Sequence, residues 1–354
     1  MGFLGTLFST CIKKFSKPSG SNDGCITSNS TQGIKWEKIK EGIYQSFSIV
    51  EKWTQEFNID NSHNVEHSKE ALFWLLQILK KSYSSSSPSL LTILLSIHGI
   101  ILHDVLDKKY MKQTEMVDYR QLLLSHLSHL EKDLNEDVQN YSHILVDVME
   151  SISYSKTVLS NPITHKEEVH FPHWISSSSS LINNDDDTDE TDETDDTNIS
   201  HISNISWFDV YHWIREADLL ASYNTARMIE FRSRKLFNST DDEIEIEWHE
   251  WLSVIKDTQA LYEKRIATLL EKNLYVHKES KEIAEHLSFV SNLKIKTLPR
   301  VDLLDGVVED PNRVNRLKHF QSRSSWDYFR IVNHMDKEEL VEDVVRFLED
   351  LDES

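Results

Sequence analysis

Apolar positions recur along most of the chain at spacings of three and four rather than two. Ala71, Leu72, Leu75, Leu76, Ile78 and Leu79 form such a stripe, which predicts an amphipathic helix beginning near His63. Leu90 to Leu106 is apolar on nearly every side, the pattern of a helix enclosed by others at the centre of a bundle. Further helical patterns run over Gln121 to Leu130, Asp137 to Ser153, Trp207 to Phe237, Ile246 to Lys272 and Lys278 to Leu293. Beyond Val301 the pattern weakens until Leu340, Val341, Val344, Val345 and Leu348, which predict a closing helix over Lys337 to Leu351. No alternating strand run competes with these segments, so the expected fold class is all-α, a helical bundle.

Two tracts interrupt the periodicity. Residues 1–33 are rich in Ser, Gly, Asn and Thr after an apolar start and read as a flexible, disordered tail. Residues 176–206 hold nine Asp or Glu and no Lys or Arg, and read as a disordered acidic insertion in solvent. A smaller loop, Ser82 to Ser89, separates two helices. The expected plan is a tail over 1–33, a helical domain over 34–300 that contains the insertion, and a C-terminal helical extension over 301–354.

Composition narrows the function classes. With 8 Gly and 6 Pro the chain lacks turn-forming residues for a β sandwich or barrel, while 9 Trp, 14 Phe and 11 Tyr supply a sizeable core. The net charge of −21 argues against a protein that grips a nucleic-acid polymer, since phosphate contacts need clustered Lys and Arg. Only Cys11 and Cys25 are present, both outside the periodic segments, as in a reducing compartment. The longest apolar run, Leu90 to Leu102, is 13 residues and too short to span a bilayer. A soluble cytoplasmic protein is expected. Membrane association through Met1-Gly2-Phe3-Leu4-Gly5-Thr6 is the alternative, because this stretch meets the loose N-myristoylation pattern and Cys11 with Lys13, Lys14 and Lys17 could add a second signal; the bulky Phe3 speaks against it.

Four residues carry the candidate chemistry. The single His-Asp dipeptide, His103-Asp104, ends the central apolar run, where an unpaired carboxylate is costly unless a cation meets it. His63 and His67 are four apart on one predicted helical face, and His67 leads into the stripe of Ala71, Trp74 and Ile78. Asp218 falls within Ile214-Arg215-Glu216-Ala217-Asp218-Leu219-Leu220-Ala221, a helix interior that tolerates Asp poorly without a partner. His67, His103, Asp104 and Asp218 thus offer two imidazoles and two carboxylates from three helices. That mixed nitrogen and oxygen set suits a divalent ion such as Mn, Fe, Co, Ni or Mg.

A first His, then His-Asp, then a distant Asp, all on helices, resembles the HD-domain metal-dependent phosphohydrolase superfamily. The surrounding wording LLSIHGIILHDVLDKKY, ESISYSK and WIREADLLASYNTARMIEF is most similar to its small nucleotide-hydrolysing subgroup, over roughly residues 45–290. The resemblance implies a metal site of His67, His103, Asp104 and Asp218, with Asp107 orienting the attacking water or moving a proton. It also suggests Ser153, Tyr154 and Lys156 as pocket residues, and Lys108 could neutralise substrate phosphate. Glu70 departs from the family, which often has a basic residue there. Arg215, one turn before Asp218, is expected to meet a phosphate, whereas Arg227, nine residues beyond Asp218 on a continuous helix, would point away. His126 and His129 read as background in a His-rich chain. The expected activity is cleavage of a nucleotide or other small phosphate ester, and the alternative is a catalytically silent nucleotide-binding or scaffold protein of the same fold.

Overall fold

The structure is a computed structural model that describes residues 29–59, 63–83, 88–133, 141–160, 167–172, 205–237, 248–297 and 336–353. The expected tail lies outside these residues except for its last five positions, as do nearly all of the acidic insertion and most of the C-terminal extension. Helix α1 spans Asn29–Glu56, α2 Val65–Ser82, α3 Leu90–Leu102, α4 Gln113–Asp133, α5 Tyr141–Ser151 and α6 Tyr154–Thr157. Then come α7 over Trp207–Ala221, α8 over Thr225–Phe237, α9 over Trp248–Leu261, a π-helical turn over Tyr262–Ile266, α10 over Lys278–Thr297 and α11 over Lys337–Asp352. The architecture is all-α.

Side-chain caps set several helix starts. Asn64 Oδ1 accepts the Glu66 and His67 N–H groups at 2.9 and 3.4 Å, fixing the start of α2 just after His63. Ser89 and Ser206 cap α3 and α7 in the same way, accepting from Thr92 N and Asp209 N at 3.2 Å each.

Helices α2, α3 and α7 form the centre, each packed on the other two. In α3 every residue from Leu91 to Leu102 is buried, as its apolar pattern requires. The approach of α3 to α7 is close at Gly99, where an added Cβ would run into Ile214 and stand 3.1 Å from Leu145 Cδ1. Helix α11 lays Leu340, Val341, Val344, Val345 and Leu348 against α2 and α3, and Lys337 pairs with Glu51 of α1 at 2.8 Å. Among α1, α3 and α4 a buried polar link runs through Ser46, whose hydroxyl lies 2.8 Å from both His98 Nδ1 and His126 Nε2. His126 therefore serves the core.

The structure corrects three local expectations. Helix α3 ends at Leu102 with His103 as its C-cap, short of the Leu106 to which the apolar run extends, so Asp104 and Asp107 follow the helix rather than lying within it. The run from Trp207 to Phe237 is two helices, interrupted at Ser222 to Asn224. A short antiparallel pair, β1 (Val158–Ser160) and β2 (Glu167–Val169), matches Val158 with Val169 and Ser160 with Glu167. Three-residue strands are too short to leave a period-two signature.

Candidate metal centre

The four residues singled out above meet at helix ends. His67 stands in the first turn of α2, His103 caps the C-terminus of α3 with Asp104 next to it, and Asp218 is in the last turn of α7. The C-terminal ends of α3 and α7 carry negative partial charge, so Asp104 and Asp218 are placed where a carboxylate is disfavoured and a cation welcome.

The geometry is compact. His67 Nε2 lies 3.2 Å from His103 Nε2, 3.4 Å from Asp104 Oδ2 and 3.2 Å from Asp218 Oδ1. His103 Nε2 is 3.4 Å from Asp104 Oδ2 and 3.6 Å from Asp218 Oδ1. Separations of this size are those between ligand atoms that share one ion at about 2.0 to 2.2 Å; His67, His103 and Asp104 form one close group, and Asp218 Oδ1 joins it through the two imidazoles. His103 Nδ1–H donates to the Ile100 carbonyl at 2.6 Å, which turns Nε2 toward the cluster. Asp104 Oδ2 is buried and makes no hydrogen bond among the described residues. Such an oxygen is stabilised by a cation and penalised without one, so the residues fit a divalent ion.

Charge is shared unevenly in this cluster. Burial, reinforced by the Arg227 guanidinium, lowers the His67 pKa to about 4. Burial also opposes charge on His103, but Asp104 and Asp218 outweigh it and raise that imidazole to about 9. Both carboxylates stay below the usual Asp range, because the two imidazoles overcome burial. Without an ion, a proton on His103 supplies the positive charge that Asp104 and Asp218 demand.

A pocket of about 650 Å³ opens above the cluster. Asp107, Lys108, Tyr154 and Lys156 line it, as does Ser153. Asp107 is tied to Lys109, whose Nζ is 3.1 Å from its Oδ2. His63, Asp104 and Asp107 form a second close group, but His63 Nε2 already receives Lys109 Nζ at 2.9 Å. Lys156 Nζ donates to the Glu150 carbonyl, and burial together with the nearby Lys108 charge lowers its pKa.

Two arginines exchange their expected roles. Arg215 does not line the pocket: it is 2% exposed, and its Nη2 donates to the Leu274 carbonyl at 2.5 Å and to His212 Nδ1 at 3.1 Å. Its guanidinium lies beside buried Glu216 and over the Phe171 ring, 4.8 Å from the centroid. It braces the segment Leu274 to His277 against α7, where Glu216 also accepts Val276 N–H at 2.6 Å and His277 Nδ1 at 3.0 Å.

Arg227 does reach the site, because the break at Ser222 to Asn224 folds α8 back. Asn224 Oδ1 accepts the Arg227 N–H at 3.2 Å and its Nδ2 donates to both Glu70 oxygens at 3.1 Å. The Arg227 guanidinium donates to His67 Nδ1 and to the Ala221 carbonyl, and lies 3.6 Å from Glu70 Oε2. Burial raises the Glu70 pKa to about 7 against the pull of Arg227. An ion on His67 Nε2 would leave the proton on Nδ1, so the guanidinium, which only donates, must then leave that nitrogen for the pocket it lines. The capping pair Asn224-Thr225 inside the apolar run was the sequence signal for this break.

Sequence reasoning missed Arg265, which enters the same pocket from the π-helical turn. Among the described residues no helix is long and apolar enough to cross a membrane. No protein-family model, curated protein or solved structure matches this chain.

Proposed function

We propose that this chain is a metal-dependent phosphohydrolase of the HD type that cleaves a nucleotide or another small phosphate ester. The observation that carries the reading is the convergence of His67, His103, Asp104 and Asp218, with an orphaned Asp104 oxygen, on the floor of a pocket whose walls present lysine and arginine. A divalent ion held by these four residues supplies Lewis acidity and acidifies a water molecule. The chain's own groups do the rest. Lys108 and Lys156 offset charge on the phosphoryl oxygens, Arg227 moves from His67 to the substrate, and Asp107 takes up a proton at the pocket edge.

One observation favours a second reading, a phosphate-binding module without turnover: Arg227 occupies His67 Nδ1 with a hydrogen bond that metal ligation must break. A screen of nucleoside mono-, di- and triphosphates with Mn, Fe, Co, Ni and Mg, reading phosphate and pyrophosphate release, separates the two. The hydrolase reading expects metal-dependent release that Asp218→Asn abolishes. Binding of nucleotides without any release supports the module.

A further inference from the structure

Charge in the pocket does not balance. A divalent ion offsets Asp104 and Asp218, Lys109 is paired with Asp107, and Glu150 is paired with Arg120. Arg227 has Glu70 beside it at 3.6 Å. Lys108, Lys156 and Arg265 remain as pocket cations that form no ion pair within 4.0 Å among the described residues, although Glu150 and Asp107, each paired elsewhere, are near enough to act on Lys156. Three such charges exceed what one phosphate group of about −1.5 to −2 offsets.

Arg265 is also held apart from the two lysines, on a different element. It belongs to the π-helical turn Tyr262–Ile266, where Ala267 N donates to the Tyr262 carbonyl at 2.8 Å across five residues. The wider turn lets Arg265 and Ile266 line the pocket together. The Arg265 guanidinium lies over the Tyr154 ring, 4.5 Å from the centroid. That ring is fixed in turn, since Lys272 Nζ donates to the Tyr154 hydroxyl at 2.8 Å and is anchored by Glu167 at 2.6 Å. Stacking of this kind uses the face of the guanidinium and leaves its N–H edge for an anion.

We propose that Arg265, stacked on Tyr154, recognises a second phosphate group of the substrate, and so selects substrates that carry two or more phosphates over monophosphates. This rests on the phosphohydrolase reading for turnover but not for binding. The lysine pair holds one phosphate above the His and Asp cluster while Arg265 holds the next.

The test uses the full chain loaded with Mn and the variants Arg265→Gln and Arg265→Lys. Rates are compared for a nucleoside triphosphate and the monophosphate of the same base, and binding of inorganic tripolyphosphate and orthophosphate is followed by calorimetry. Losing a charge-assisted contact of this type raises KM for the triphosphate by about 10-fold to 100-fold. In Arg265→Gln we expect that rise with kcat and the monophosphate constants within about twofold, an equal weakening for tripolyphosphate, and partial recovery in Arg265→Lys. Equal losses for mono- and triphosphate, or no change in either, would overturn the proposal. If the wild-type chain hydrolyses no ester, the phosphohydrolase reading fails on its own, and the tripolyphosphate titration still decides the role of Arg265. Arg265 is exposed, so far-ultraviolet circular dichroism of each variant should match wild type.

Discussion

Ion binding at the His and Asp cluster should release a proton, and its affinity should depend on pH in a way set by one residue. In the ion-free fold His103 is raised to about 9 by Asp104 and Asp218, so at neutral pH its Nε2 carries a proton in the space the ion needs. His67 is lowered to about 4 and the two carboxylates are held below their ordinary range, so none of these adds to the slope near neutrality. Below pH 9 the apparent affinity should therefore fall about tenfold per pH unit, on the order of 100-fold or 2.7 kcal/mol between pH 8 and pH 6. Calorimetric titration of Mn into the apoprotein, in buffers of different ionisation enthalpy, measures both the slope and the released protons. Near one proton per ion at pH 7 is expected. A flat affinity over that range with no proton released would refute the charge distribution described above.

The buried link through Ser46 should make the fold acid-sensitive. Burial lowers His98 to about 3 and His126 to about 4, so each contributes stability that is complete above the unfolded value near 6.5 and fades as pH falls toward the folded one. At pH 5 this is at most about 2 kcal/mol per residue, so denaturant unfolding of His98→Asn should lose less stability than wild type between pH 7.5 and pH 5; an identical loss would argue against it. Arg215→Met should destabilise the fold by about 3 kcal/mol in the same assay while metal stoichiometry is retained, because the arginine braces α7 rather than touching substrate. Gly99→Leu should force α3 from α7 and lower metal affinity and melting temperature together, whereas loss of neither would show that the helices have room to spare.

The legible parts of the fold were those with long periodic stripes. The apolar run of α3, the α2 stripe and the closing stripe of α11 each predict their helix within a few residues, since burial of one face dominates local preference. The His and Asp cluster was legible because an unpartnered carboxylate is costly at the end of an apolar run, as at Asp104, and in what reads as a helix interior, as at Asp218. What lay outside the pattern depended on chain direction. Whether Arg227 faces the pocket turns on the break after Ala221, which a spacing argument that assumes a continuous helix misses, whereas Arg215 precedes that break and is drawn to the Leu274 carbonyl and buried Glu216 instead. Arg265 lies still further from reach, because a π-helical turn shifts side chains relative to a 3.6-residue period and leaves no mark on hydrophobic spacing. Residues 1–28 of the tail expected over 1–33, and nearly all of the acidic insertion expected over 176–206, fall outside the described residues.

The central claim is that His67, His103, Asp104 and Asp218 hold one divalent ion between α2, α3 and α7. Elemental analysis after loading with Mn and exhaustive desalting tests it most directly, on wild type beside His103→Ala, Asp104→Ala and Asp218→Asn, each checked for unchanged helix content. About one ion per chain in wild type and little in any variant is the expected result. Equal metal in all four proteins, or none in wild type, would contradict it.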